Sequence, residues 1–238
     1  MGHCVKPAGK WPDGVIPYKN DTAKPVKDGL VQAIEKIMRR WEAQIGGNRV
    51  SFVPWREGEH NLYILLQAGE GMASADIGRP PQGKTFTVLK VDGGLLGKMP
   101  HELGHIMGLA HEQDRITTPY TKNAVYDPNI GPRLYAVENS VTAFKVEAKK
   151  KEWAALYVTS GDYDLFSLMH YPAMPKQLTF DCKDEVLIQY CKDKGWPGLT
   201  PECLNSPSND DATNDTWRAS AGDIATLRAL YAREESQS

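Results

Sequence analysis

Three of the chain's six histidines lie within eleven residues, at His101, His105 and His111, in the run HELGHIMGLAHE. On an α-helix, residues four apart lie on one face, about 6 Å apart along the axis. His101 and His105 can therefore direct imidazole nitrogens at one ion. Gly108 follows three residues later, and glycine tolerates the positive φ with which many helices end. We therefore expect the chain to turn there and bring His111 to the same ion.

This set of ligands predicts a catalytic metal site. Three neutral nitrogens with one open position are typical of catalytic zinc, whereas structural zinc sites use four protein ligands. One catalytic Zn²⁺ is the expected cofactor, although copper or cobalt could also bind these donors. The alternative is a surface helix that carries histidines by chance, and the full spacing H-E-x-x-H-x-x-G-x-x-H argues against it.

The residue after the first histidine, Glu102, is the candidate general base. Zinc lowers the pKa of its bound water from about 15.7 to about 7. A carboxylate beside that water can accept its proton and later pass the proton to a leaving amine. The pattern therefore favours metal-assisted hydrolysis at neutral pH.

A second candidate element lies downstream, in the run SLMHY over residues 167–171. A methionine in a tight turn can form an apolar floor beneath a three-histidine site. Taken alone, Met169 would be an ordinary core methionine and Tyr171 a buried tyrosine. Together with the histidine motif, the pentapeptide is predicted to support the metal site.

Periodicity predicts the elements that must position these residues. Apolar residues at helical spacing predict a helix over residues 25–45, and Gly46-Gly47 ends it. The last helix is predicted over residues 220–234, capped by Ser220 with Asp223 three residues on. Residues 11–18 predict a turn followed by a strand. Runs rich in β-branched and aromatic residues predict further strands, with the third of them the weakest, in residues 49–55, 61–67, 72–78 and 85–91. Residues 179–216 are predicted to be mostly loop.

Composition limits the function classes. The 238 residues are 41% hydrophobic and 24% charged, with a formal net charge of −2, so no basic excess indicates a nucleic-acid partner. No apolar run approaches the ~18 residues that span a bilayer. The four cysteines do not have the C-x₂-C spacing of structural zinc sites. We expect one or two disulfides, with free buried thiols as the alternative, among Cys4, Cys182, Cys191 and Cys203. Disulfides would imply an exported protein.

With these motifs in place, the chain resembles the astacin family of metzincin zinc endopeptidases. Glu112 follows the third histidine, as in astacins, and the methionine turn ends in His-Tyr. Other runs are similar to further family segments: WPDGVIPY, RVSFVPW, GMASADIGR, GDYDLFSLMHY and DIATLRALY. The cysteines are not the family's usual ones, and we expect a bacterial-type member.

The resemblance implies an α+β, metzincin-like fold. Its parts would be a twisted, mainly antiparallel-edged sheet, two long helices, an active-site cleft and an irregular C-terminal lobe that ends in a helix. Residues 1–238 would form one catalytic domain, with an N-terminal lobe over 1–108 and a C-terminal lobe over 109–238.

The resemblance also implies roles for individual residues. His101, His105 and His111 would bind zinc, with Glu102 as general base. Met169 would form the methionine turn beneath them.

Four further roles follow from the same resemblance. Tyr171 would be the switching tyrosine, which can approach the metal at rest and then hydrogen-bond the oxyanion. Glu112 would lie near the processed N-terminus. Lys176 would line the S1′ pocket and favour acidic side chains, unless it is an ordinary solvated lysine. An extended substrate would add as a strand along Ala73, Ser74, Ala75 and Asp76.

Two departures from the family pattern concern the site. Pro100 directly precedes His101, so the site helix begins at about Pro100 or kinks there. The usual family cysteines are absent, so the family's disulfide plan does not transfer. Cys4 could block the metal as a thiolate, but a disulfide or a free surface thiol is favoured.

The leading hypothesis is a secreted, monomeric zinc endopeptidase that acts on protein or peptide substrates. The competing hypothesis is a catalytically idle metal-binding interaction protein of the same fold. Glu102 and Tyr171 favour the enzyme, because a purely structural metal site needs neither residue. Another metzincin branch is the third possibility.

Overall fold

The structure, a computed structural model, describes residues 3–112, 125–126, 157–159, 164, 167–169, 178–179 and 217–232. The helices in this part of the chain are α1 (Asp28–Ile45), α2 (Met99–Ile106) and α3 (Ala221–Leu230). The first six strands are β1 (His3–Val5), β2 (Val15–Asn20), β3 (Ser51–Pro54), β4 (Tyr63–Ala68), β5 (Ser74–Ala75) and β6 (Phe86–Val91). The remaining strands are β7 (Val125–Tyr126), β8 (Tyr157–Thr159) and β9 (Leu178–Thr179).

The central sheet contains five strands in the order β3-β2-β4-β6-β5. The pairings of β2 with β3, of β2 with β4 and of β4 with β6 are parallel. The crossover from β2 to β3 runs through α1, as a parallel pair requires. Only β5 is antiparallel to its neighbour, with Ala75 opposite Leu89. The predicted antiparallel edge is therefore this one short strand, and the fold class, α+β, is confirmed.

The outer edge of the sheet at β3 is covered by side chains from α1. The backbone N–H of Phe52 donates to Oε1 of Glu42 at 2.6 Å, and the carbonyl of Phe52 accepts from the Arg39 guanidinium. Arg39 and Glu42 also form an ion pair at 2.6 Å. The hydrogen-bonding groups of this edge residue are therefore satisfied within the chain.

Helix α1 backs the sheet with one buried apolar face, which consists of Ile34, Ile37, Met38, Trp41 and Ile45. It packs over a sheet core that includes Ile16, Phe52, Ile64, Leu66 and Leu89. The helix begins at Asp28, three residues later than predicted. The amide side chain of Asn20 bonds both the N–H and the C=O of Val26, at 2.9 and 2.8 Å, so this residue's backbone polar groups are already satisfied before the helix begins.

Helix α2 follows directly from a 3₁₀ turn, Gly93–Lys98. Asp92 caps this turn by accepting from the N–H of Gly94 at 2.8 Å. Pro100 is the second residue of α2, where its missing N–H would have had no intrahelical partner. The eight-residue helix therefore begins one residue before Pro100, and it is shorter than the long helix predicted. No helix among the described residues is long and apolar enough to cross a membrane.

The N-terminal strand corrects one prediction. Cys4 pairs with Val158 and forms an isolated bridge with Leu109. Its thiol is buried and free, so Cys4 is neither in a disulfide nor at the surface, and burial raises its pKa to about 11. The free buried thiol is the correct alternative for this cysteine, because β1 is an inner strand between β8 and Leu109. Cys182, Cys191 and Cys203 lie outside the described residues.

Two tryptophans allow a matched test of the packing between α1 and α2. The indole N–H of Trp41 donates to the carbonyl of Pro100, and that of Trp55 donates to the carbonyl of His60, both at 3.0 Å. Trp41 is fully buried, whereas Trp55 is half-buried. We expect Trp41→Phe to lower the free energy of unfolding by about 2–3 kcal/mol. Trp55→Phe should cost below about 1 kcal/mol. Equal losses in urea unfolding would contradict this packing.

Candidate metal centre

Helix α2 carries the first two histidines and is buried on almost every side. Leu103 and Ile106 are fully inaccessible, and His105 and Glu102 expose only 4% and 8% of their surface. A helix buried all round is typical of a protein core. The side chains of Glu102, Leu103 and His105 therefore lie in the interior, and His101 is half-buried.

The chain turns at Gly108 as predicted. Gly108 has a φ of 103°, and a Cβ there would lie 2.7 Å from Cγ2 of Val5. Both the backbone angle and this contact require glycine. The N–H of Val5 donates to the carbonyl of Gly108 at 2.8 Å, which anchors the turn to β1. The chain then runs back towards α2 and brings His111 to the other two histidines.

The three histidines meet as the sequence predicted. One ring nitrogen from each of His101, His105 and His111 lies within 4.8 Å of the others. The Nε2 atoms of His105 and His111 are 3.0 Å apart. Two nitrogens bound tetrahedrally to zinc at ~2.0–2.1 Å lie about 3.4 Å apart, so a small adjustment of the rings accommodates the ion. The donor set therefore fits zinc.

Backbone carbonyls fix the orientation of two rings. Nδ1 of His101 lies 2.8 Å from the carbonyl oxygen of Leu168, and Nδ1 of His105 lies 2.8 Å from that of Leu109. A carbonyl only accepts, so each Nδ1 carries the proton and each Nε2 presents a lone pair. This arrangement selects the tautomer that binds a metal.

The surroundings keep the three imidazoles neutral. Burial, followed by the neighbouring His111, lowers the pKa of His101 to about 3. Burial lowers the pKa of His111 to about 4 and holds the pKa of His105 well below its usual value. Metal binding requires neutral imidazole. At neutral pH, therefore, no proton must leave these rings before a cation binds.

Glu102 is a buried acid beside this cluster. Burial raises its pKa to about 7, although the positive charge of Lys98 and the backbone N–H of Ala75 act in the opposite direction. An acid with a pKa near the working pH can both accept and return a proton. The contact with Ala75 also links this residue to β5, the edge strand of the sheet.

Met169 packs against α2 and is 1% exposed. The structure places it against Gly104, where a Cβ would lie 2.4 Å from its sulfur. The N–H of Met169 donates to Oγ of Ser167 at 3.0 Å, which closes the turn. The methionine therefore packs directly under α2, and a glycine in α2 makes the approach possible.

Glu112 joins the third histidine's loop to this turn. Its N–H donates to the carbonyl of Met169 at 3.3 Å, and its carboxylate accepts from the N–H of Asp164 at 2.8 Å. Glu112 is 3% exposed. In the described residues its carboxylate thus bonds the chain just before the methionine turn.

The predicted substrate residues lie on or beside β5. Ala73, Ser74 and Ala75 are half-buried, and Asp76 is exposed. The Asp76 carboxylate accepts from Oγ1 of Thr87 at 2.9 Å and from the N–H of Val88 at 3.0 Å. It therefore fastens the edge strand to β6. Tyr171 and Lys176 lie outside the described residues.

The sequence analysis missed three residues that contact the site's supports: Asp164, Ser220 and Asp223. Ser220 and Asp223 were predicted only as a helix cap. Their capping box is present, but the same side chains also reach the methionine turn and Asp164. The spacing of Ser220 and Asp223 predicts the helix cap. Their contacts with the methionine turn and with Asp164 join distant parts of the chain, so no local sequence pattern predicts them.

The contact between Gly104 and Met169 leads to a test. We expect Gly104→Ala to push Met169 away from α2, to cost about 1–3 kcal/mol of stability and to weaken zinc binding at least about tenfold in a chelator competition. The matched control is Gly29→Ala in α1, where a Cβ would meet nothing within 4 Å. It should change stability by less than about 1 kcal/mol. Unchanged zinc affinity in Gly104→Ala would show that the methionine contact does not support the site.

Two of the related sequences illustrate the comparison with known proteins. Blastula protease 10 of Paracentrotus lividus is 26% identical over 167 residues, which are 68% of this chain and 25% of that protein. Zinc metalloproteinase nas-39 of Caenorhabditis elegans is 28% identical over 161 residues, which are 68% of this chain and 16% of that protein. The chain therefore spans a quarter or less of the length of these two relatives.

Two solved structures share the fold. High choriolytic enzyme 1, a hatching enzyme zinc-protease from Oryzias latipes, has a TM-score of 0.54 at 18% identity, and the match covers 96% of each chain. Myroilysin has a TM-score of 0.54 at 16% identity, with 98% of this chain and 100% of that chain covered. The family model "Astacin", which describes a family of peptidases, matches residues 3–185. This chain belongs to the astacin family of peptidases.

Proposed function

We propose that the protein is a zinc-dependent endopeptidase that hydrolyses peptide bonds of extended protein or peptide substrates. One observation carries this proposal: three neutral imidazoles converge on one point, with the buried carboxyl of Glu102 on the same helix. When bound, zinc would polarise the scissile carbonyl and acidify a water molecule. His101, His105 and His111 would hold the ion.

Glu102 would act as the general base. Its carboxylate would take the proton of the attacking water and give it to the leaving amine. Burial keeps its pKa near 7, which suits both transfers at neutral pH. The ring of the adjacent residue, His101, is oriented by its hydrogen bond to the carbonyl of Leu168. The general base and this metal ligand would therefore keep the same relative position.

Substrate would bind along β5. This strand is the last in the described sheet order and is antiparallel to β6. An extended peptide can add to such an edge through main-chain hydrogen bonds. Ala73, Ser74 and Ala75 would form this edge, and Asp76 would keep it fixed to β6. Lys176 would line the S1′ pocket.

Three further roles belong to the same proposal. Tyr171 follows Met169 by two residues and would donate its hydroxyl to the developing oxyanion. Met169 would form the floor beneath the histidines, supported by its contact with Gly104. Glu112 would hold the loop of the third histidine in place.

The location, oligomeric state and lobe organisation of the enzyme are proposed from the family resemblance. We expect an exported monomer with one catalytic ion, in two lobes over residues 1–108 and 109–238. The competing function is a catalytically idle metal-binding interaction protein. It predicts zinc uptake without hydrolysis, so the experiments below measure both.

The first experiment tests the general base. We expect Glu102→Gln to bind one zinc ion like the wild type and to lower kcat on a casein-derived fluorogenic peptide by about 10²–10⁴-fold. Glu57→Gln, at an exposed position, is the control and should retain full activity. A Glu102→Gln variant as active as wild type would contradict the mechanism. A wild type that binds zinc but cleaves nothing in a proteome-derived peptide library would favour the idle protein.

The second experiment tests the oxyanion donor. We expect Tyr171→Phe to lower kcat by about 10²–10³-fold with little change in KM, because the hydroxyl would act only in the transition state. Tyr63→Phe is the control, since Tyr63 lies in β4 between Trp55 and Phe86. A loss confined to KM would argue against the proposed role of Tyr171.

A further inference from the structure

The N-terminus of α3 contacts the methionine turn through Asp223. Its two carboxylate oxygens accept from Oγ of Ser167 at 2.7 Å and from the N–H of Leu168 at 2.8 Å. The carbonyl of Leu168 in turn accepts from Nδ1 of His101 at 2.8 Å. One residue therefore separates Asp223 from the ring of a metal ligand.

A second connection runs from Ser220 to the loop of the third histidine. The Ser220 hydroxyl donates to Oδ2 of Asp164 at 2.5 Å. The N–H of Asp164 donates to the carboxylate of Glu112 at 2.8 Å. Glu112 directly follows His111, and its own N–H donates to the carbonyl of Met169. The same helix end thus reaches the supports of two ligands, on separate routes.

The carboxylates of Asp223 and Asp164 are more buried and more closely packed than capping α3 alone would require. A cap requires one side-chain acceptor at the helix end, and Ser220 already accepts from the N–H of Asp223 at 2.9 Å. Asp223 is nevertheless 5% exposed, and burial raises its pKa to about 6. The Asp164 carboxylate packs so closely that a Cβ on Gly222 would lie 2.3 Å from it. Two acidic groups are therefore gathered at one helix terminus, whose dipole favours negative charge.

Helix α3 is itself fixed to the frame of the protein. Leu227 is fully buried, and the Tyr231 hydroxyl donates to the carbonyl of Met107 at 2.9 Å, just after α2. Arg228 donates from Nε to the carbonyl of Ile45 at 2.7 Å, at the end of α1. The N-terminus of α3 is consequently fixed in place, and so are the methionine turn and Asp164, which are bonded to it.

We propose that Ser220 and Asp223 are positioning residues for the metal centre: Asp223 orients His101 through Leu168, and Ser220 orients His111 through Asp164 and Glu112. This inference rests on the proposed function only in taking zinc as the ion. Groups that orient metal ligands typically contribute 10–100-fold to metal affinity. The cap of α3 would then support the metal site in space, although it lies far from the histidines in sequence.

The test compares metal binding in the full chain of four variants. Asp223→Ala removes both acceptors, whereas Asp223→Asn retains one acceptor oxygen for Leu168 and can donate to the rotatable Ser167 hydroxyl. Ser220→Ala removes the second route. Arg228→Ala is the matched control, because it loosens the same helix from α1 without touching either route. Zinc affinity is measured by chelator competition, and the visible spectrum of the cobalt-substituted protein reports the ligand geometry.

We expect Asp223→Ala and Ser220→Ala to weaken zinc binding about 10–100-fold and to alter the cobalt spectrum. Asp223→Asn should recover most of the affinity, and Arg228→Ala should retain wild-type affinity and spectrum. The proposal is overturned if Asp223→Ala and Ser220→Ala keep both properties of the wild type, or if Arg228→Ala loses as much affinity as they do. If Asp223→Ala does not fold, Ser220→Ala and Asp223→Asn decide the outcome by the same readouts.

These readouts are independent of hydrolysis. A wild type that binds zinc and cobalt but cleaves no peptide would refute the proposed function and leave the positioning roles to be judged on affinity and spectrum. Full peptidase activity with unchanged metal binding in every variant would support the proposed function and refute the positioning roles of Ser220 and Asp223.

Discussion

The structure depends on holding three neutral imidazoles against one another in a largely buried place, where His105 is buried and His101 and His111 are half-buried. A protonated ring there would lose hydration and repel its neighbours, and both effects lower the pKa values of His101 and His105. Neutral rings still need a partner for each N–H. The carbonyls of Leu168 and Leu109 provide it, so the chain must return to α2 twice, once through the Gly108 turn and once through the methionine turn. Much of the packing around α2 serves these two returns.

The elements that sequence analysis predicted well are those whose determinants are local. The apolar face of α1, the strand runs, the Gly108 turn and the capping box of α3 each follow from residues close together in sequence, and each is present. The histidine cluster also belongs here, because helical spacing and one glycine are enough to bring the three rings together.

The features that sequence analysis missed depend on distant parts of the chain. Helix α1 starts late because the Asn20 side chain binds the Val26 backbone. Cys4 is buried because β1 lies between β8 and Leu109. Asp223 looks like an ordinary cap in the sequence, and only tertiary structure brings Ser167 to it, 56 residues away. Pro100 was ambiguous because a proline can either begin a helix or kink one, and the preceding 3₁₀ turn decides between them.

Among the described residues, the two edge strands of the central sheet, β3 and β5, differ in a way that matters for self-association. A bare strand edge is a template on which any extended chain, including another copy of the same protein, can continue the sheet. At β3 the protein occupies that template itself, with Arg39 and Glu42 bonded to the backbone of Phe52. At the other end, β5 lies beside Glu102 through Ala75. A partly unfolded copy that added to β5 would lie next to the metal centre. Under the proposed function, the strand edge most open to aggregation would therefore also be the place where the added chain is cleaved.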